Sequence, residues 1–284
     1  MTRQPPRQRS TLRPEAGARQ EPERSGTAER DRNDGAPASK PPPLPAGLYL
    51  TAVPIGNAGD ITRRALDTLA AADAVACEDT RMTAKLLGLY GISRPLLSYH
   101  DHNADKMRPV LLRRIAGGEA VALVSDAGMP LISDPGYKLV RAAHEQGLPV
   151  TCLPGANAPL TALVLSGLPS DRFLFAGFPP PRKTARRNFY AEFEAVPATL
   201  VFFESAKRLP ASLADLAAVF GDREAAVTRE LTKKFEQVRR GRLPELAAAY
   251  AASGPPRGEV VVVVGPPVFR PEEVDPDRVD ALLQ

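Results

Sequence analysis

The sequence contains no tryptophan, two cysteines and three histidines in 284 residues, and aromatics make up only 6%. It also lacks any run of ~18 consecutive apolar residues, so no membrane-spanning helix is expected. Cys77 and Cys152 stand far apart in apolar surroundings. They have neither metal-ligand spacing nor the density of a disulfide framework. They read as small buried hydrophobes in a reducing, cytoplasmic compartment. Two histidines share the segment His100-Asp101-His102 with no cysteine nearby. That is a poor zinc set, so no metal is expected. The usual nucleotide and nucleophile signatures are missing as well. There is no G-x-x-x-x-G-K-[ST] phosphate cradle, no G-x-G-x-x-G after a strand and no G-x-S-x-G elbow.

What remains is ordinary globular composition, 43% hydrophobic and 25% charged. The charge is unevenly placed. Residues 1–46 carry nine Lys+Arg against six Asp+Glu, with nine prolines and no aromatic. Such a segment buries too little surface to offset its ordering entropy, so it is expected to be a disordered tail. The other 238 residues hold 28 basic and 27 acidic groups, a net of +1. Any nucleic-acid binding must therefore rest on local patches.

From Gly47 onward, short apolar runs alternate with helical spacing. Strands are expected at 48–52, 74–77, 96–99, 120–124 and 150–153, with helices at 61–72, 137–146 and from 158. Alternation of this kind implies a parallel, covered sheet. A second block has strands at 173–176, 199–203, 225–229 and 259–264, with helices at 209–220 and 244–252. The proline-rich stretch Gly177-Phe-Pro-Pro-Pro-Arg182 is the best linker candidate. The expected organisation is a tail over 1–46, an N-terminal α/β domain over 47–168, a C-terminal α/β domain over 169–267 and an extension over 268–284.

Three glycine-bearing loops directly follow strands: Val53-Pro-Ile-Gly-Asn57, Ser125 to Gly136, and Leu153-Pro-Gly-Ala-Asn-Ala158. In a parallel sheet all three lie at the carboxyl edge, where open α/β sheets bind ligands. Glycine there admits a ligand close to the backbone. One such loop is an ordinary turn; three in succession indicate a site. Asp79-Thr80-Arg81 follows another strand, where it can cap a helix or face the cleft. The histidine-containing loop continues to Asn103, and His102 could accept a proton near neutral pH. Basic residues cluster at Arg182, Lys183, Arg186 and Arg187, and again from Lys233 to Arg242, with Phe189, Tyr190 and Phe235 among them. They read either as solvated faces or as phosphate contacts.

Taken together, these segments resemble a known family. They are Val53–Asn57 with Asp60–Thr62, Glu78–Arg81, His100–Asn103, Leu123–Gly128, Ile132–Gly136 and Leu153–Gly155. In the second half they are Gly167–Arg172, Phe203–Ser205 with Arg208-Leu209, Arg229–Lys233 and Arg257–Glu259. Over about 47–265, order and spacing are similar to the RsmI family of small-subunit ribosomal RNA cytidine 2′-O-methyltransferases. These are tetrapyrrole-methylase-like enzymes that use S-adenosylmethionine (SAM). Met129 and Asn157 depart from its pattern, where Thr and a small Ser or Cys are usual, as do Ala206-Lys207 before Arg208.

The resemblance implies two α/β domains, the first with a mostly parallel sheet and the second with a mixed one. SAM sits in the cleft between them, and the molecule is a homodimer. It implies cofactor contacts at Ile55, Gly56, Ser125, Asp126, Ala127, Gly128, Met129, Asn157, Ala158, Phe203, Glu204 and Leu231. Catalytic roles fall to His102, Asp101 and Asn103. Contacts to 16S rRNA in the small ribosomal subunit fall to Arg81, Arg182, Lys183, Arg186, Arg187, Arg208 and Lys233. Two competing readings are a methylase of a small tetrapyrrole precursor and a non-catalytic SAM- or RNA-binding protein.

Overall fold

The computed structural model describes residues 43–267; the expectations for residues 1–42 and for the extension 268–284 lie outside them. In chain order the elements are β1 (Gly47–Thr51), α1 (Arg63–Ala71), β2 (Ala74–Cys77), α2 (Thr80–Leu89), β3 (Leu96–Ser98), α3 (Ala104–Ala116), β4 (Ala120–Leu123), α4 (Tyr137–Glu145), β5 (Val150–Leu153) and α5 (Ala158–Ser166). Then follow β6 (Phe173–Gly177), α6 (Lys183–Ala191), β7 (Thr199–Ser205), α7 (Leu209–Phe220), β8 (Glu224–Arg229), β9 (Gln237–Arg242), α8 (Leu243–Ser253) and β10 (Glu259–Val264).

β1 to β5 form a wholly parallel sheet in the order β3-β2-β4-β1-β5. The expected strands are all present, because each is a short apolar run that the sheet buries. β2 and β4 are buried at every position. The second sheet has the order β6-β7-β10-β8-β9 and is mixed, with only β6–β7 parallel. Its centre explains the run of five valines. Val260, Val262 and Val264 pack towards α6, α7 and α8, while Val261 and Val263 pack towards α5. A strand covered on both faces has no polar side, so alternation disappears.

Strand β9, Gln-Val-Arg-Arg-Gly-Arg, had no apolar signal. It is an edge strand on β8, and charged side chains are how exposed edges avoid pairing with other chains. Its arginines are largely committed within the fold. Arg240 donates to the carbonyls of Leu165 and Ser166, closing the C-terminus of α5. Arg242 pairs with Asp222, and Arg239 lies over the Tyr250 ring. Phe189 and Tyr190, expected among surface cations, instead belong to the core of the second sheet.

Helix α5 follows the last strand of the first sheet yet packs against the second. Ala162 and Leu163 lie against Val201, Ala226, Val261 and Val263, and Ile55 joins them from the loop after β1. Burying such a side chain contributes ~1.5–3 kcal/mol. This apolar seam ties the two sheets together, whereas the salt bridges among the described residues each lie within one half.

Candidate active site

The three glycine loops follow β1, β4 and β5, which are neighbours in the sheet, so they open side by side. Backbone bonds lock the first to the second: Val53 N–H donates to Gly128 O at 2.9 Å, and Gly128 N–H returns to Val53 O at 3.0 Å. Gly128 has φ 79°, and a Cβ there would stand 3.1 Å from Ile55 and 3.5 Å from the Ala156 carbonyl. The turn therefore brings all three loops within van der Waals reach of one backbone position. Asn157 caps α5, its Oδ1 accepting from Leu160 N–H at 3.0 Å. That bond gives the asparagine a structural role at the entrance to α5.

These loops form one wall of a cleft of about 780 Å³. Ile55, Ala127, Gly128, Met129, Asn157 and Ala158 line it from the first sheet. Phe203 and Glu204 at the end of β7, Leu231 after β8, and the start of β10 line it from the second. Nine of the twelve expected cofactor positions thus share one cavity. Gly56, Ser125 and Asp126 do not line it. Ser125 is buried and its hydroxyl reaches the Ala127 carbonyl, so it shapes the turn. The Asp126 carboxylate accepts from Asp79 N–H. Gly56 makes room for Lys233, whose Cγ would lie 2.4 Å from an added Cβ.

Two strained tips face the cleft. Leu131 and Ser133 have φ of 74° and 66° and flank Ile132. Glu230 and Thr232, at 52° and 65°, flank Leu231. Both central residues line the cavity. Left-handed non-glycine residues persist only where their surroundings impose them, and they cluster at functional sites.

The carboxylates are distributed unequally. Asp134, on the Ile132 tip, lines the cleft. Burial raises its pKa to about 6; the Glu78 and Asp126 charges add to the rise, and the Ser125 hydroxyl opposes it. Glu78 is itself raised, by burial and then by Asp126 and Asp101. Asp79 is held at about 2 by its hydrogen bonds to the exposed Arg81. Opposite charges meet on the second sheet. Lys233 Nζ lies 2.9 Å from Glu230 and 2.7 Å from Glu259, and Arg208 lies 2.8 Å from the buried Glu204.

Other expected site residues are placed elsewhere. Asp101 and His102 are exposed and outside the cleft lining. Asn103 is structural: its Oδ1 accepts from His100 N–H and its Nδ2 donates to Ser98 O. Arg186, expected to contact RNA, is a correction. Its side chain is 5% exposed and bonded to Asp215, so it cannot reach a phosphate. Arg187 also bonds Asp215 but is 43% exposed. Arg81, Arg182 and Lys183 are exposed, whereas Arg208 and Lys233 are engaged in the ion pairs above. The sequence reading missed Asp134, Phe178, Lys207 and Arg257 as cleft residues. Asp134 stood inside the Ile132–Gly136 segment, but nothing in its spacing shows that it is half-buried beside other carboxylates.

A parallel sheet whose carboxyl-edge loops close on a mixed sheet across one cleft defines a class of methyltransferase. The family of Tetrapyrrole (Corrin/Porphyrin) Methylases matches residues 47–247. A uroporphyrin-III C-methyltransferase from Thermus thermophilus, solved with S-adenyl homocysteine, has the same fold. Its TM-score is 0.54 at 21% identity, covering 77% of this chain and 97% of that one. Within that class the chain belongs to the ribosomal RNA small subunit methyltransferase I family. It is 54% identical to the member from Mesorhizobium japonicum over 242 residues, 85% of this chain and 82% of the relative. It is also 54% identical to the member from Erythrobacter litoralis, covering 85% and 84%.

Proposed function

We propose that the chain methylates the ribose 2′-hydroxyl of a cytidine in the decoding centre of 16S rRNA, using SAM, as a cytoplasmic homodimer. The observation that carries this reading is the cleft itself. Its apolar lining of Ile55, Met129, Phe203 and Leu231 suits an adenosine and the methionine chain attached to it, and Gly128 leaves the backbone open to them. SAM would be held by Ala127, Gly128, Asn157 and Ala158 on one wall and by Phe203 and Leu231 on the other. Bound there, it supplies a methyl already activated by a sulfonium.

What the protein adds is alignment and a place for the proton. Alignment alone removes a large part of the barrier. The proton of the 2′-hydroxyl passes to the Asp134 carboxylate, which lines the cleft and is poised near neutrality. Asp134 takes the role first expected of His102, Asp101 and Asn103, because those three lie outside the cleft lining. Leu160 and Val164, exposed one turn apart on α5, suit the dimer contact.

The test is transfer of labelled methyl from SAM to small ribosomal subunits lacking this modification. 2′-O-methylcytidine is the expected product. No transfer, with SAM bound in the same preparation, would overturn the reading. Among the cations, exposed Arg182 and Lys183 are assigned to phosphate. Replacing both with Glu is expected to weaken RNA binding and to lower the slope of log affinity against log salt by about 1–2. SAM affinity should stay unchanged; an unaltered salt slope would remove the assignment.

A further inference from the structure

Phe178 is a large aromatic ring left 56% exposed at the cleft. Its position is built rather than incidental. The β6–β7 register shifts between Phe175 and Gly177, and Gly177 adopts φ 70°. Such a bulge re-aims the chain that follows it. Pro179, Pro180 and Pro181 then restrict the backbone beyond the ring, and Arg208 donates to the Pro179 carbonyl at 3.3 Å. From behind, Phe178 rests on Phe203 at 5.2 Å between centroids, and Phe203 rests edge-on against Phe175 at 4.9 Å. The ring is thus held with one surface free.

Two cations line the same cleft, Lys207 and Arg257. Both are exposed, and among the described residues neither forms a salt bridge. Their neighbours Arg208 and Lys233 are neutralised by Glu204, Glu230 and Glu259. Unengaged positive charge beside a supported aromatic face fits a ligand that is flat at one end and anionic at the other. SAM fits poorly, since its one carboxylate is outweighed by an ammonium and a sulfonium, so its net charge is positive. An unpaired nucleotide fits.

We propose that Phe178, Lys207 and Arg257 form a subsite for one unstacked nucleotide of the RNA, its base on the Phe178 ring and its phosphate between the two cations. The proposal rests on the RNA-methyltransferase reading and deepens it. It requires the bound RNA to present a splayed base, because a ring can stack only on a base that has left its own stack.

Three variants test it: Phe178→Ala, Phe178→Trp, and Lys207→Ala with Arg257→Ala. Each is assayed for binding of a short single-stranded RNA, for KM with small subunits, and for SAM affinity by calorimetry. Phe178→Ala should weaken RNA binding about 5- to 150-fold, the range for loss of one base–aromatic stack. Phe178→Trp should restore it, and the double cation variant should weaken binding and flatten its salt dependence. SAM affinity should remain within about twofold of wild type. Unchanged RNA binding in Phe178→Ala, or an equal loss of SAM affinity, overturns the subsite alone. Failure of the wild-type chain to methylate RNA at all overturns the underlying reading and the subsite with it.

Discussion

Replacing Asp134 with Asn is expected to lower methyl transfer by about 10²-fold or more at neutral pH, the size of effect that follows loss of a positioned proton acceptor. The carboxyl lines the cleft, and burial, with Glu78 and Asp126 nearby, raises it to about 6. Only the ionised form accepts a proton. The wild-type rate should therefore climb with pH through about 6 and then level off, and the Asn variant should lose that limb. Linkage separates this from a folding defect. A carboxyl raised in the folded state adds stability below its ordinary value of 3.8, and that stability is lost as the pH rises through about 6. At neutral pH the neutral amide spares the fold a half-buried charge, so its thermal midpoint should equal or exceed wild type. Single-turnover transfer across the pH range is the measurement. An unchanged rate with an unchanged acidic limb would rule out Asp134 as the acceptor.

The second large effect is on stability. Asp215→Ala should destabilise the protein by about 3–5 kcal/mol, the cost of leaving one member of a buried ion pair without its partner. Arg186 and Asp215 have side chains 5% and 3% exposed, with Nη2 to Oδ2 at 2.5 Å. Arg187 donates to the other carboxylate oxygen at 2.7 Å, and Arg186 Nη1 reaches the Pro181 carbonyl at 3.0 Å. The cluster therefore fastens α6 to α7 and to the proline segment below Phe178. Denaturant midpoints should fall while the salt slope of RNA binding does not change. Arg186→Met with Asp215→Leu should recover part of the loss, since a well-packed apolar pair can replace a buried ion pair. A charge reversal at Arg186 would mimic an RNA-binding defect by unfolding this corner. A midpoint shift below about 1 kcal/mol in Asp215→Ala would show that the pair contributes little.

Much of the framework was legible in the chain. Parallel strands buried on both faces appear as short apolar runs, and β2, β5, α7 and β10 fall at their expected bounds. Glycines at successive strand ends located the carboxyl-edge loops, because an apolar strand must stop where a turn needs a residue without Cβ. Strand β9 was not legible. An edge strand is stabilised by its ladder with β8 rather than by its own side chains, and Arg239, Arg240 and Arg242 resemble a solvated basic patch until their partners are known.

By itself, then, the sequence determined the alternation of strands and helices, the three carboxyl-edge loops and the family they belong to. These depend on neighbours along the chain: hydrophobic period, turn chemistry and motif spacing. The tertiary structure decided which charged and aromatic groups are free to act. Arg186 and Asp134 are each ordinary polar residues in sequence. One is consumed by a carboxylate 29 positions away, and the other is made protonatable near neutrality by burial beside the ends of β2 and β4. Phe178 is likewise apolar like any core residue, and only a bulge in β6 turns it outward. Burial and charge neutralisation arise from residues distant in the chain, so they exist only once the two sheets have closed on each other.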